Sequence, residues 1–475
     1  MNFQRRGARR AGACVIAGLA IASAPALAQS VSEAELARRV DQLAVELANV
    51  KAELARLQRE RAETRAPVAA GATPAGASTS AAPSPSATAP ATASGTPSAT
   101  ASASTPSAPP RAAPVEASAA QGSGIAIGPS TVLTSYGEIN YNRPIHDRSQ
   151  SVADLRRFVL GVQHRFDDKT KFVSEVEVEH AVSSASDAGE VEIEQAFIER
   201  QLTSRYALRA GLFLIPAGLL NENHEPTAYY GVERNFVETA IIPSTWREGG
   251  LQVVGAFDNG ITAQLGVSTG FDLTKWDANS SEGAESPLGA IHQELSQSKA
   301  RDLSVFGAVN WRGVPGLLLG GSAFTGGATH GQAASSSRVT LWDLHARYTP
   351  GRWDLAALYA RGTISNTAAF NTPLVGGTTL VPSSFYGWYG QAAYRLWSSE
   401  DYSLSPFVRW EEFNTAHTFA SLGAGLTPDP ARTEKVGTVG ANFYVGNGVV
   451  LKADYQRFQV NRDADRFNLG LGWNF

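Results

Sequence analysis

From about residue 131 to the C-terminus the chain alternates apolar and polar positions in short runs bounded by Gly, Asp, Asn, Ser and Pro. Sixteen runs can be marked: roughly 131–141, 155–166, 170–180, 190–201, 205–214, 249–258, 260–270, 301–312, 316–325, 338–349, 352–362, 385–397, 401–413, 434–445, 448–459 and 465–475. Alternation at period 2 predicts strands with two unlike faces. Tight connections, such as Asp258-Asn259-Gly260 and Gly446-Asn447-Gly448, trade places with long ones at 142–154, 215–247, 271–300, 363–384 and 414–433. Short turns at one rim and long loops at the other predict an all-β, 16-stranded antiparallel transmembrane barrel over residues 129–475. In the last run Phe467, Leu469, Leu471, Trp473 and Phe475 share one face, and Arg466, Asn468, Gly470, Gly472 and Asn474 the other. Apolar-out and polar-in along each strand implies a wet lumen.

Upstream the pattern changes. Residues 1–28 have Arg5, Arg6, Arg9 and Arg10, a short apolar run and Ala26-Leu27-Ala28, which predicts a secretory signal peptide. Over 29–62, Leu36, Val40, Leu43, Leu47, Val50, Leu54 and Leu57 keep a heptad spacing and predict a coiled-coil helix. Residues 63–128 are Ala, Pro, Ser, Thr and Gly with few charges, a disordered linker by composition. Coiled coil and linker are expected in the periplasm if the barrel lies in an outer membrane.

Composition narrows the chemistry. The only cysteine, Cys14, falls in the signal, so a mature chain would offer no thiol nucleophile or Cys-ligated metal. No nucleophile elbow, H-E-x-x-H or phosphate-cradling Gly loop is present, and neither enzymatic activity nor a cofactor nor a nucleic-acid partner is expected.

Charge on the expected inner face is dense. Glu175, Glu177 and Glu179 alternate on one strand, and Glu190, Glu192 and Glu194 on the next, which period 2 sets on one face. Carboxylates in lipid are costly, so this ladder faces water. Arg157, Arg165, Arg209, Arg347, Arg395 and Arg409 fall on the inward parity as well, with Lys452 and Arg466. An acidic strip beside basic rows would filter small ions in a narrow passage.

The stretch 215–247 has no clean period and carries Pro216, Pro226, Pro243, Tyr229, Tyr230, Phe236 and Trp246. Such a loop is expected to fold into the barrel and narrow it. Its polar knot holds Asn221, Glu222, Asn223, His224 and Glu225, followed by Glu233, Arg234, Glu238, Arg247 and Glu248. A hydrogen-bonded hub pinning the loop to the wall is the favoured role; a metal site or acid–base centre on His224 is the alternative.

The run RAGLFLIPAGLLNENHEP at 209–226, continued by YYGVERNFVETAIIPSTWREGGLQVVGAF at 229–257, resembles the phosphate-selective porin O and P family. The resemblance covers the barrel but not the N-terminal segments. It implies a trimeric Gram-negative outer-membrane porin whose third long loop forms the constriction, with phosphate or polyphosphate drawn along arginine rows to lysines. Here the barrel region has 28 Lys and Arg against 36 Asp and Glu, only six of them Lys, and 215–247 contains none. The resulting expectation is passive diffusion of small hydrophilic solutes, with phosphate-like anions first. A general or cation-preferring porin is one alternative. The other is a structural protein tethered to peptidoglycan through the coiled coil.

Overall fold

In a computed structural model of the chain, residues 56, 124–184, 187–333 and 335–475 are described. The chain divides into two units, Met1–Ala103 and Ser104–Phe475. Arg56 is all that is described of the first, so the signal peptide, coiled coil and most of the linker lie outside the described residues.

The second unit is a closed antiparallel barrel. Its strands are β1 Thr131–Pro144, β2 Val152–Asp167, β3 Thr170–Glu179, β4 Val191–Gln201, β5 Tyr206–Leu214, β6 Arg247–Ala256, β7 Ile261–Ser268 and β8 Ser304–Trp311. They continue as β9 Leu317–Gly327, β10 Arg338–Tyr348, β11 Trp353–Ile364, β12 Ser384–Tyr394, β13 Tyr402–Thr418, β14 Glu434–Val445, β15 Val449–Phe458 and β16 Arg466–Asn474. Each pairs with the next in sequence, and β16 closes on β1 with Leu471 opposite Ile139 and Asn468 opposite Asn142. Short strands at Ile125–Gly128 and Trp397–Ser398 join the same sheet at β1 and β13. All sixteen expected strands are present, and the turns and loops alternate as read from sequence. At the turn after β6, Gly260 has φ +81°, where a Cβ would also lie 2.8 Å from the Arg312 backbone, so glycine is required there.

The two faces separate as the alternation predicts. Leu251, Leu265, Leu344, Val408, Val439 and Leu469 are exposed on the outside, whereas Gln252, Arg409, Lys452 and Asn468 are buried within. One sector departs from the wet-lumen expectation. Phe306, Phe324, Leu341, Leu358, Ile364 and Phe385 point inward from β8–β12 and pack against loop residues Ile215, Ile241, Trp246, Phe271, Leu273 and Ile291. The loop 215–246 enters the barrel as expected, but the loop 269–303 also folds in behind it. Trp246 joins the two, with its ring 5.1 Å from Phe271 and 4.6 Å from Phe324 of the wall. The apolar inward residues give the loops a hydrocarbon seat, which water-facing loops would not need.

Candidate functional site

The loop 215–246 is closed at its base by one side chain. Asn221 Oδ1 accepts from the Trp246 amide at 2.7 Å, while its Nδ2 donates to the carbonyls of Ile215 (2.8 Å) and Trp246 (2.7 Å). Donor and acceptor on one amide satisfy both edges of the loop's entrance. A second hub is Glu238, in a single π-type turn over Val237–Ile241. Its Oε1 accepts from the Leu219 and Leu220 amides at 2.5 and 2.7 Å, and its Oε2 from Asn235 Nδ2 at 2.8 Å and Tyr389 Oη at 2.9 Å. Burial pushes the Glu238 carboxyl above its ordinary range, against the pull of these donors. Glu238→Gln would turn an NH2 toward donors and remove charge-assisted bonds, a loss of about 1.5–3 kcal/mol to the loop's seating. The expected readout is faster protease cutting within 215–246 in the folded barrel; unchanged cutting would count against the hub.

From these hubs the loop reaches most of the wall. The Gly218 amide donates to Asp343 of β10, the Phe236 amide to Glu411 of β13 at 2.7 Å, and the Val232 amide to Asp454 of β15 at 2.6 Å. Asn442 of β14 donates to the Tyr229 carbonyl, and Tyr229 Oη donates to Glu138 of β1 at 2.6 Å. Pro226 fits against Gly472 of β16, where an added Cβ would stand 2.4 Å from the proline.

His224 is buried between β1 and β4. Its Nδ1 lies 2.9 Å from the Asn221 carbonyl, which can only accept, so Nδ1 carries a proton. Its Nε2 lies 2.7 Å from Tyr136 Oη, which donates to Glu194 Oε2 at 2.6 Å, and 3.5 Å from Glu194 Oε1. The ring so ties the loop to β1 and β4 through Tyr136 and Glu194. Burial alone would lower the His224 pKa, but the neighbouring Glu194 outweighs it and raises it. The ring is an electrostatic pin, and no group of three or more potential ligands for a metal ion occurs among the described residues.

Of the residues singled out from sequence, Arg157, Glu175, Glu177, Glu194, Arg209, Asn221, His224, Glu225, Arg247 and Arg409 are buried inside the barrel. Glu179, Glu192, Glu222, Arg234 and Arg347 are half-buried, whereas Arg165, Glu190 and Arg395 are exposed. Arg165 and Arg395 lie near the short-turn rim, away from the loop, and Glu190 precedes β4 at the opposite rim.

The arginines do not form an unpaired row. Arg157 Nε donates to Glu138 at 2.9 Å, Arg209 Nε to Glu199 at 2.7 Å, Arg347 to Asp354 through two bonds, and Arg409 Nε to Glu411 at 2.9 Å. Arg247 is paired with Glu192 and, at 3.0 Å, with Glu294. Arg234 donates to the hydroxyls of Ser244 and Thr245.

Glu199 escaped the sequence reading for a specific reason. Glu175 pairs with Gln195 but Val176 with Ile193, so Glu194 is an extra residue in β4 and inverts the parity beyond it. Both Glu194 and Gln195 therefore turn inward, and Glu199 follows Gln195, not Glu194. Glu238 belongs to the charged residues that follow the loop's polar knot, but nothing in its spacing, or in that of Glu411, marks the two as partners of the loop amides.

Among solved structures, OmpF of Salmonella typhi, determined in complex with daunomycin, matches with TM-score 0.52 and 14% identity over 73% of this chain and 97% of that one. An anion-selective porin from Comamonas acidovorans matches with TM-score 0.46 and 10% identity over 73% of this chain and 99% of that one. A protein of Aquifex aeolicus (strain VF5) described as uncharacterized is 28% identical over 362 residues, 74% of this chain and 80% of its own length. No model of a known protein family matches the chain. The likeness to OmpF is one of fold. This chain has the fold of an outer-membrane porin.

Proposed function

We propose that the protein is an outer-membrane porin through which small hydrophilic solutes diffuse passively past a constriction made by the loop 215–246. The observation that carries this reading is a closed barrel, apolar outside, with a loop clamped inside it by Asn221, His224 and Glu238. In porin folds of this size the subunits pack as trimers, and that assembly is proposed here too.

Charge selectivity is the finer question. Each of Arg157, Arg209, Arg247, Arg347 and Arg409 is matched by a carboxylate, Arg247 by both Glu192 and Glu294, and the loop adds Glu233. That balance supports a general channel leaning toward cations. Preference for phosphate or polyphosphate is the second reading, carried by the sequence resemblance and by Arg157 Nη1 and Arg409 Nη2, which are buried without a hydrogen-bond partner.

Full-length protein in planar bilayers under a KCl gradient tests both. The expected reversal potential has the sign of cation preference and shifts further toward cations in Arg234→Gln. A potential of the opposite sign, with phosphate blocking chloride current at millimolar concentration, would establish the anion reading instead.

A further inference from the structure

On the outer face of the barrel, toward the rim of the long connections, one register row crosses three strands. Trp410 of β13 stands opposite Gly437 of β14, and Gly437 opposite Arg457 of β15. The glycine between two long side chains leaves a groove with about 230 Å3 of room for solvent. Trp410 walls it on one side, where a Cβ on residue 437 would lie 3.5 Å from the indole. Arg457 walls the other, and Gln459 and Arg462 of the connection after β15 line it as well.

Unlike the matched arginines of the lumen, this groove is unbalanced. Three flanking carboxylates are engaged elsewhere. Glu412 accepts from Trp410 Nε1 at 3.2 Å and pairs with Lys435 at 3.4 Å, while Glu434 accepts from the amides of Gln459, Val460 and Asn461. Asp465, its side chain 6% exposed, accepts from the Phe458 amide at 2.6 Å and comes no nearer than 4.0 Å to Arg462. Arg457 is exposed and has no ion-pair partner among the described residues. Below the groove the wall changes character. Toward the short-turn rim the next outward row of the same strands is Val408, Val439 and Tyr455, and a lower one is Leu404, Phe443 and Leu451. Val408 and Val439 are 55% and 54% exposed.

We propose that this groove holds the phosphate headgroup of a membrane lipid, whose acyl chains lie along the apolar rows beneath it. A guanidinium presents its donors in a fork that matches the oxygens of a phosphate, and two of them, Arg457 and Arg462, face one groove. Cations on the lipid side of a barrel are costly at mid-depth and tolerated near the rim, where a lipid phosphate can meet them. A free phosphate would use the groove and nothing of the strip below, whereas a lipid uses both. The site rests on the membrane setting of the porin reading and is independent of conduction.

Native mass spectrometry of the detergent-solubilised full-length protein, titrated with dioleoyl phosphatidic acid, tests the site. The expected result is saturable retention of phosphatidic acid at least tenfold tighter than that of dioleoyl phosphatidylcholine, which has the same chains, and undisturbed by a hundredfold excess of inorganic phosphate. Gly437→Leu, which fills the groove and alters no charge, should weaken retention at least tenfold. Arg457→Gln should do the same and decides the matter if the first variant fails to fold. Arg200→Gln, which removes an exposed cation paired with Asp167 at the other rim, should leave retention unchanged. Equal retention of the two lipids, displacement by inorganic phosphate, or retention unaffected by the folded groove variants overturns the proposal. A parallel KCl conductance measurement separates the two readings: current without selective lipid retention removes the lipid site alone, and selective retention without current removes the channel alone.

Discussion

Replacing residues 218–243 with a short Gly-Ser linker is expected to raise single-channel conductance several-fold. The strand pairing closes β16 on β1 without any contribution from this loop, so the barrel has no structural reason to open when it is removed. What the deletion clears is a segment bonded to β1, β10, β12, β13, β14 and β15, that is, to walls on opposing sides of the bore. Conductance follows the narrowest cross-section, which in the proposed function is where this segment lies. The variant is also expected to unfold at lower temperature, because Leu341, Leu358 and Phe385 lose the loop residues that cover them. Single-channel steps unchanged from the intact protein would mean that the loop does not set the conducting path.

The barrel was legible in the sequence because its physics is local. Each strand must show lipid one kind of side chain and water the other, and period 2 writes that requirement into every run of about ten residues. The apolar seat under the loops was less legible. An inward Phe324 or Phe385 looks like a lapse in alternation until the loop that covers it is known. The loop 269–303 did carry a signal, since Phe271, Leu273, Trp276, Leu288 and Ile291 are more apolar residues than a water-facing connection would hold.

The candidate site was legible by position and obscure by pairing. Parity alone sent Arg157, Arg209 and Arg409 inward, and the proline- and aromatic-rich composition of 215–247 marked a packed insertion. Which carboxylate neutralises which arginine depends on strand register and, at Glu194, on one extra residue. A shift of one position reverses every face beyond it, so composition and alternation could not supply Glu199 as the partner of Arg209. The consequence is functional: a row of arginines looks anion-attracting on paper, whereas the folded chain presents matched pairs.

Single arginines on the outer face are expected to block assembly. Leu265, Leu344 and Val408 lie on three separate sectors of the wall and are 69%, 61% and 55% exposed. In a soluble protein such positions would be among the most tolerant of charge. In a barrel bathed in hydrocarbon, arginine near the midplane costs about 2–4 kcal/mol. Leu265→Arg, Leu344→Arg and Val408→Arg should therefore each reduce the heat-modifiable, folded form in the outer membrane by an order of magnitude or more. Gln264→Arg, one residue away in β7 but on the inward face beside Glu222, should assemble normally and gain a nearby carboxylate. The comparison is internal, since both changes add the same side chain to the same strand. If the outward arginines assemble as readily as the inward one, then water and not lipid surrounds the wall, and neither a membrane setting nor a channel would follow from this fold.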